Sequence, residues 1–325
     1  MALRHRSRAL SSLIAALALG TACATSAPQA DRAVRSAAGP TAPAMDTLVS
    51  TEWLSRHLED PDLVVLDCTV SMEPVEGGGF RPVSGRVAYE AGHIPSAGFA
   101  DLMGELSDRS SPYSAALPTP ERFAAVMAAL GVGDDSRVVL YDSSHSVWAA
   151  RVWWMLRWIG FDRAAVLDGG LTAWTAEGRP LSTSPATRPA KRLTSAPRPD
   201  LIADRDEVLA SLGSHAACLV DALPPTHFRG EMSFYARPGH IPGASNTPAL
   251  ALLDESGRYH SSAELAAMFA CRRDARVITY CGGGVAASSD AFILTRLGFT
   301  DVAVYMGSLQ EWASDPANPM EVGAP

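Results

Sequence analysis

From about residue 46 onward, short apolar runs alternate with stretches of helical spacing. Leu63-Val-Val-Leu-Asp67, Val138-Val-Leu-Tyr-Asp142, Cys218-Leu-Val-Asp221, Val277-Ile-Thr-Tyr-Cys281 and Val302-Ala-Val-Tyr305 are apolar at consecutive positions and rich in β-branched residues. Runs of that kind predict short strands buried on both faces. Between them the period changes. After Ala286, for example, Ala287, Ala291, Leu294 and Leu297 fall along one helical face, and Gly298 marks the stop. Strands alternating with amphipathic helices predict an α/β fold around mainly parallel sheets.

The pattern occurs twice. Gly92-His-Ile-Pro-Ser-Ala97 is matched by Gly239-His-Ile-Pro-Gly-Ala244, and Gly160-Phe161 by Gly298-Phe299. Leu167-Asp-Gly-Gly-Leu-Thr-Ala-Trp174 is matched by Tyr305-Met-Gly-Ser-Leu-Gln-Glu-Trp312. His93 and His240 stand 147 residues apart, Asp142 and Cys281 139, and Trp174 and Trp312 138. The shortening falls between Asp101 and Phe123, a loop-rich stretch where length changes cost little. Two domains are therefore expected, at 46–180 and 201–320. The proline-rich segment 181–200 between them reads as an exposed linker.

Composition narrows the function. The 325 residues are 47% apolar and 19% charged with net charge −8, so nothing points to nucleic acid. No cysteine–histidine cluster has metal-ligand spacing, and neither a metal nor a cofactor is expected. Arg4, His5, Arg6 and Arg8 precede the apolar run Ala9–Gly20, which is too short for a comfortable membrane span. Thr21-Ala22-Cys23 follows, so residues 1–23 read as an export signal and 24–45 as a flexible Ala/Pro/Ser-rich tether. Cys23 resembles a lipoprotein anchor, which would give a periplasmic or membrane-tethered protein. Cleavage after Ala24 would give a secreted one. Cys68 and Cys218 lie in apolar strands and read as buried packing residues, and the few remaining cysteines do not make a disulfide framework.

Cys281 is different. It stands where a strand ends and a helix begins, followed by Gly282, Gly283, Gly284, Val285 and Ala286. Unpaired backbone N–H groups and the positive end of the helix dipole favour an anion there. Glycines let the N–H groups curl into a nest, a seat for a thiolate or for a sulfur anion built on one. A dinucleotide fingerprint would need an acidic residue after the next strand, where Met306 stands. A cysteine phosphatase would need an arginine in the loop, where Ala287 stands. At the matching place the first domain carries Asp142-Ser-Ser-His-Ser, and a carboxylate cannot attack sulfur, so that domain reads as catalytically silent. His145 there reads as a solvated loop histidine. His93 and His240 recur in both halves and read as turn-holding residues, with His93 also a candidate for the cleft between domains.

These features together resemble the tandem-domain rhodanese family, the thiosulfate and 3-mercaptopyruvate sulfurtransferases. The resemblance spans about residues 46–315 and includes both His-Ile-Pro segments, Ser107-Asp-Arg-Ser-Ser-Pro-Tyr113, the Asp142/Cys281 exchange and both closing Gly-x-x-x-x-Trp segments. It implies transfer of sulfane sulfur from a small anionic donor, through a persulfide on Cys281, to a thiol or cyanide. The N–H groups of Gly282–Ala286 would hold the persulfide. Arg229, in Phe228-Arg-Gly-Glu231, would match the arginine that grips the donor's anionic end, with Arg237 a second candidate clamp. The chain departs from the family at three places. Mercaptopyruvate-type loops read Cys-Gly-Ser-Gly-Val-Thr, whereas Gly283 and Ala286 replace the serine and threonine. Thiosulfate-type loops carry Arg and Lys after the cysteine, and here both are glycine, which leans toward mercaptopyruvate. The family's Asp-Gly-Ser-Trp is Met306-Gly-Ser-Leu309. A non-catalytic persulfide carrier or protein-binding module is the alternative.

Overall fold

The two sets of apolar runs become two five-stranded parallel sheets. The structure, a computed structural model, describes residues 45–76, 79–214 and 216–323. The export segment, Cys23 and all of the tether but Met45 lie outside these residues.

In the first half the order is β1 (Leu48–Val49), α1 (Thr51–His57), β2 (Leu63–Asp67), β3 (Val70–Pro74), β4 (Phe80–Ser84), α2 (Arg86–Ala91), β5 (Gly98–Phe99), α3 (Pro120–Ala129), β6 (Arg137–Tyr141), α4 (Val147–Trp158), β7 (Ala164–Leu167) and α5 (Gly170–Ala176). The second half runs β8 (Ile202–Ala203), α6 (Arg205–Ser211), β9 (Ala217–Asp221), α7 (Pro225–Phe228), β10 (Ser245–Asn246), α8 (Ser262–Met268), β11 (Arg276–Tyr280), α9 (Val285–Arg296), β12 (Val302–Tyr305) and α10 (Ser308–Trp312). The sheets are ordered β1-β7-β6-β2-β5 and β10-β9-β11-β12-β8. Listed from corresponding edges these are the same order, so the sequence repeat is a structural one. The five strands predicted at Leu63, Val138, Cys218, Val277 and Val302 form as expected, as β2, β6, β9, β11 and β12. The two-residue edge strands, and the antiparallel hairpin β3–β4 of the first half, carry no legible periodicity.

The repeated anchors hold equivalent places. Trp174 and Trp312 are fully buried, and their indole N–H groups donate to Pro180 O and Pro319 O at 2.9 and 2.8 Å. That hydrogen bond is what a buried indole requires. In the His-Ile-Pro segments, Ile94 N–H donates to the Tyr141 hydroxyl and Ile241 N–H to the Tyr280 hydroxyl. Each segment is thereby tied to its central strand.

Helices α4 and α9, which follow the two central strands, pack against each other and join the halves. Both are buried along most of their length, α4 because it is apolar on nearly every face and α9 with Ser288, Ser289 and Asp290 carried into the interior. The Trp153 edge meets the Phe292 ring there at 4.8 Å between centroids. Tyr259 N–H also crosses to Asp168 Oδ1 at 2.9 Å. Segment 181–200, expected as a linker, is tacked along the first half. Ser182 exchanges backbone hydrogen bonds with His93, Lys191 N–H donates to Ala128 O, and Ala196 N–H to Ile159 O.

One cysteine expectation is corrected. Cys218 is not an isolated packing residue but forms a disulfide with Cys271, 53 positions away, with Cα atoms 5.8 Å apart. Position in an apolar strand gave no hint of this, because the partner lies in a loop brought close only by the fold. Cys68 is buried and free, as expected.

Candidate active site

Cys281 directly follows β11, the central strand of the second sheet, and α9 begins four residues later. Its carbonyl accepts Leu309 N–H at 3.0 Å, and the Gly282 carbonyl accepts Gln310 N–H at 2.9 Å. Its own N–H donates to Ser308 Oγ at 3.1 Å. Ser308 is fully buried and holds φ +48°, a costly conformation for a residue with a side chain. The short helix α10 therefore braces the cysteine loop through backbone and hydroxyl contacts.

Each of the three glycines is demanded by a neighbour. A β-carbon on Gly282 would collide with the Tyr235 hydroxyl, and one on Gly283 with Gln310 Nε2. Gly284 adopts φ +80°, which only glycine takes without strain, and a β-carbon there would come within 3.2 Å of Arg151 Nη1 and the Met306 sulfur. Cys281 itself is only 3% exposed. The sulfur loop is thus roofed by Tyr235, Gln310 and the Ser114 carbonyl, with Arg151 and Met306 at its far end.

Arg151 is the feature that the sequence reading missed. It rises from α4 in the first half and is completely buried. Its Nη1 donates to Gly284 O at 3.3 Å and to Met306 Sδ at 2.8 Å, and its Nη2 to Ala115 O at 2.9 Å. Nε has no partner, and no carboxylate pairs with this arginine among the described residues. Burial pushes the guanidinium down to about 10, while the negative charge of the Cys281 sulfur acts the other way. A buried cation with no acidic partner carries a large desolvation cost. The cost makes sense if an anion belongs beside it. The signal available in the sequence was Arg151 in the middle of Val147–Trp158, a helix whose other residues up to Leu156 are all apolar.

Two more ionisable groups lie close. Burial, helped by the negative charges of Cys281 and Asp221, pushes the Tyr235 hydroxyl up, so it stays protonated and can donate. Asp221 ends β9 directly beside Tyr280 in the sheet register. Burial raises its carboxyl to about 7, although Leu223 N–H and Tyr280 both favour the ionised form.

The matching junction in the first half shows what this place in the fold does. Asp142 is fully buried, and its carboxylate accepts four backbone N–H groups. Oδ1 takes those of Ser144 and Ser146 at 3.0 Å, and Oδ2 those of Trp148 and Ala149 at 3.0 and 3.1 Å. The strand-to-helix turn is a nest for an anion, which Asp142 fills from within.

The other expected site residues fare differently. Arg229 caps α7 at the surface with its fork on Glu231, at 2.7 and 3.1 Å. Arg237 must be corrected. Its Nε donates to Ala313 O, its Nη1 to Asn318 O, and its Nη2 to Trp312 O and Asp315 O. A guanidinium committed to four carbonyls pins the C-terminal segment. His93 does not face the cleft. It is fully buried, stacked on Tyr89 at 4.0 Å, with ring nitrogens against Tyr89 O and Ser184 O. His240 stacks on Phe228 in the same way, with Nδ1 at 2.7 Å from Phe228 O. His145 lies on an exposed loop.

The fold and site define a duplicated parallel α/β protein with a cysteine–glycine turn in its second half only. A family model for the rhodanese-like domain matches residues 50–177 and again 204–315. The chain belongs to the rhodanese family, as a tandem-domain sulfurtransferase. It is 35% identical to a protein of Pseudomonas aeruginosa named a probable 3-mercaptopyruvate sulfurtransferase, over 85% of this chain and 98% of that protein. Thermus thermophilus sulfur carrier protein TtuD is 31% identical over 86% of this chain and 97% of its own length. The crystal structure of SseA from Escherichia coli, described as a 3-mercaptopyruvate sulfotransferase, superposes with a TM-score of 0.72 at 32% identity. That match covers 81% of this chain and 99% of SseA.

Proposed function

We propose that the protein transfers sulfane sulfur from 3-mercaptopyruvate, through a persulfide on Cys281, to a thiol acceptor. The Cys281 thiolate attacks the donor sulfur, the donor's C–S bond breaks, and its electron pair leaves as the enolate of pyruvate. The proton of the donor thiol ends on that carbon, giving pyruvate. An acceptor thiolate then attacks the outer sulfur of the persulfide and restores the Cys281 thiolate, a two-step nucleophilic cycle. Cyanide would serve as an acceptor in the same step.

The observation that carries this reading is the buried Arg151 beside the Cys281 turn. A cation held without a carboxylate suits a site that must stabilise a thiolate, a persulfide and an anionic donor in succession. Tyr235, kept protonated above Gly282, adds a donor on the opposite side. Arg151 adds a buried cation to the anion-binding role expected of Arg229, whose fork rests on the exposed Glu231. The Pseudomonas and Escherichia relatives support mercaptopyruvate as donor, as does the absence of charged side chains from Gly282 and Gly283. Turnover with 3-mercaptopyruvate and with thiosulfate tests the donor. A kcat/KM at least tenfold higher for mercaptopyruvate is expected, and a preference for thiosulfate would reverse the assignment.

A second reading, a persulfide carrier, is favoured by the nearly complete burial of Cys281 and by the TtuD relative. A carrier would load sulfur once without multiple turnover. We further propose that the protein works outside the cytoplasm, with residues 1–23 as its export signal and Cys23 as its lipid anchor. The Cys218–Cys271 disulfide supports an oxidising compartment.

A further inference from the structure

Gln310 plays no part in the mechanism above, yet its side chain sits against the sulfur loop. It belongs to α10, and its backbone N–H donates to Gly282 O. Its Oε1 accepts Ser114 N–H, from the first half, at 2.8 Å. Since an N–H can donate only to oxygen here, that bond settles which end of the amide is which. Nε2 therefore lies toward the loop, in the space that a β-carbon on Gly283 would occupy. Gly283 does not have a left-handed backbone, so its conformation would accept any L residue. What excludes a side chain there is Gln310, with the Ser114 carbonyl 3.4 Å from the same point.

We propose that Gln310 is a positioning residue for sulfur transfer. It ties the first half across the cysteine turn and presents amide N–H groups where the turn's own second residue has no side chain. Those N–H groups face the anionic part of the loaded site, the persulfide or the carboxylate of the donor. The argument rests on the sulfurtransferase reading and adds to it a residue from outside the loop.

The test uses the full chain carrying Gln310→Ala, Gln310→Glu, Gly283→Ser or the double change Gly283→Ser/Gln310→Ala. Activity with 3-mercaptopyruvate, the share of Cys281 bearing an extra sulfur by intact mass, and the thermal midpoint are read together. Loss of one or two polar contacts should lower kcat/KM in Gln310→Ala about fivefold to tenfold. Gln310→Glu keeps the acceptor for Ser114 but sets a carboxylate against the anion. It should raise KM for the anionic donor, lower activity well below that of the alanine variant, and shorten the lifetime of the persulfide. Gly283→Ser alone should lose at least about tenfold, because two side chains then compete for one space. Removing Gln310 from that variant should restore activity, so the two changes couple with opposite sign. Gln310→Glu within about twofold of wild type, or additive losses in the double variant, would overturn the proposal. A wild type that neither loads Cys281 nor turns over would instead sink the sulfurtransferase reading, and this proposal with it.

Discussion

Replacing Arg151 with methionine separates a structural arginine from a functional one, because the two roles give effects of opposite sign. Methionine is unbranched, reaches about as far as the arginine Nε, and suits the apolar surroundings of α4, where Trp154 lies 5.6 Å from the guanidinium carbon. The guanidinium is fully buried, lacks a carboxylate, and leaves Nε without a partner. Removing an uncompensated buried charge relieves a desolvation cost, while the Gly284 and Ala115 carbonyls each lose a donor worth about 1 kcal/mol. Stability should therefore stay within about 1–2 kcal/mol of wild type or rise. Activity should behave otherwise. A charge-assisted contact to a sulfur or carboxylate anion contributes about 2–3 kcal/mol. At about 1.4 kcal/mol per tenfold, that is a loss of about 30- to 150-fold in kcat/KM. Urea titration and steady-state rates with 3-mercaptopyruvate measure the two effects on one preparation. Arg151→Lys keeps the charge but not the planar fork, and should recover part of the rate. Arg151→Met with kcat/KM within about threefold of wild type would refute the reasoning. So would a loss of activity that merely follows the loss of folded protein.

Three further outcomes are expected. Arg237→Ala should cost about 3 kcal/mol of stability by leaving four carbonyls without their donor, while kcat per folded molecule changes little; a large kcat loss without destabilisation would return Arg237 to the active site. Replacing Cys218 and Cys271 by alanine should destabilise the protein by up to about 4 kcal/mol, from the 53-residue loop that the bond closes, and an unchanged denaturation midpoint would contradict a formed disulfide. Asp221 has a folded-state value of about 7 against 3.8 unfolded, so the unfolded chain releases its proton first as pH rises. Its contribution to stability is highest below about pH 4 and is lost as pH climbs to 7. Asp221→Asn should flatten that decline, only in part because burial also pushes Asp290 up, and an unaltered pH–stability slope would show that Asp221 does not titrate there.

Much of the fold was legible because it is written twice. Apolar runs such as Leu63–Asp67 and Val277–Tyr280 are long enough to reveal strands, and repetition of His-Ile-Pro and of the closing tryptophans ordered them into two units. The edge strands were not legible, since two residues such as Ser245–Asn246 carry no period. Position in the chain located Cys281 and its glycines, though only Gly284 is required by the turn's own backbone, and Gly282 and Gly283 answer to Tyr235 and Gln310. What surrounds them was hidden, because Arg151 arrives through the packing of α4 on α9, Gln310 from α10 and Ser114 from a loop of the first half. Local position was a poor guide to one arginine. Arg237 sits in an arginine-bearing stretch before a repeated turn, but the fold supplies four carbonyls around it that no local pattern announces.

The central claim is that Cys281 carries the transferred sulfur. The most direct measurement is intact and peptide mass of the protein after brief exposure to 3-mercaptopyruvate without acceptor, beside Cys281→Ser. The account expects a gain of about 32 Da, one sulfur atom, on the peptide containing Cys281. The gain should be removed by an added thiol and absent from the variant. A gain that persists in Cys281→Ser, or maps to Cys68, or no gain while turnover proceeds, would contradict it.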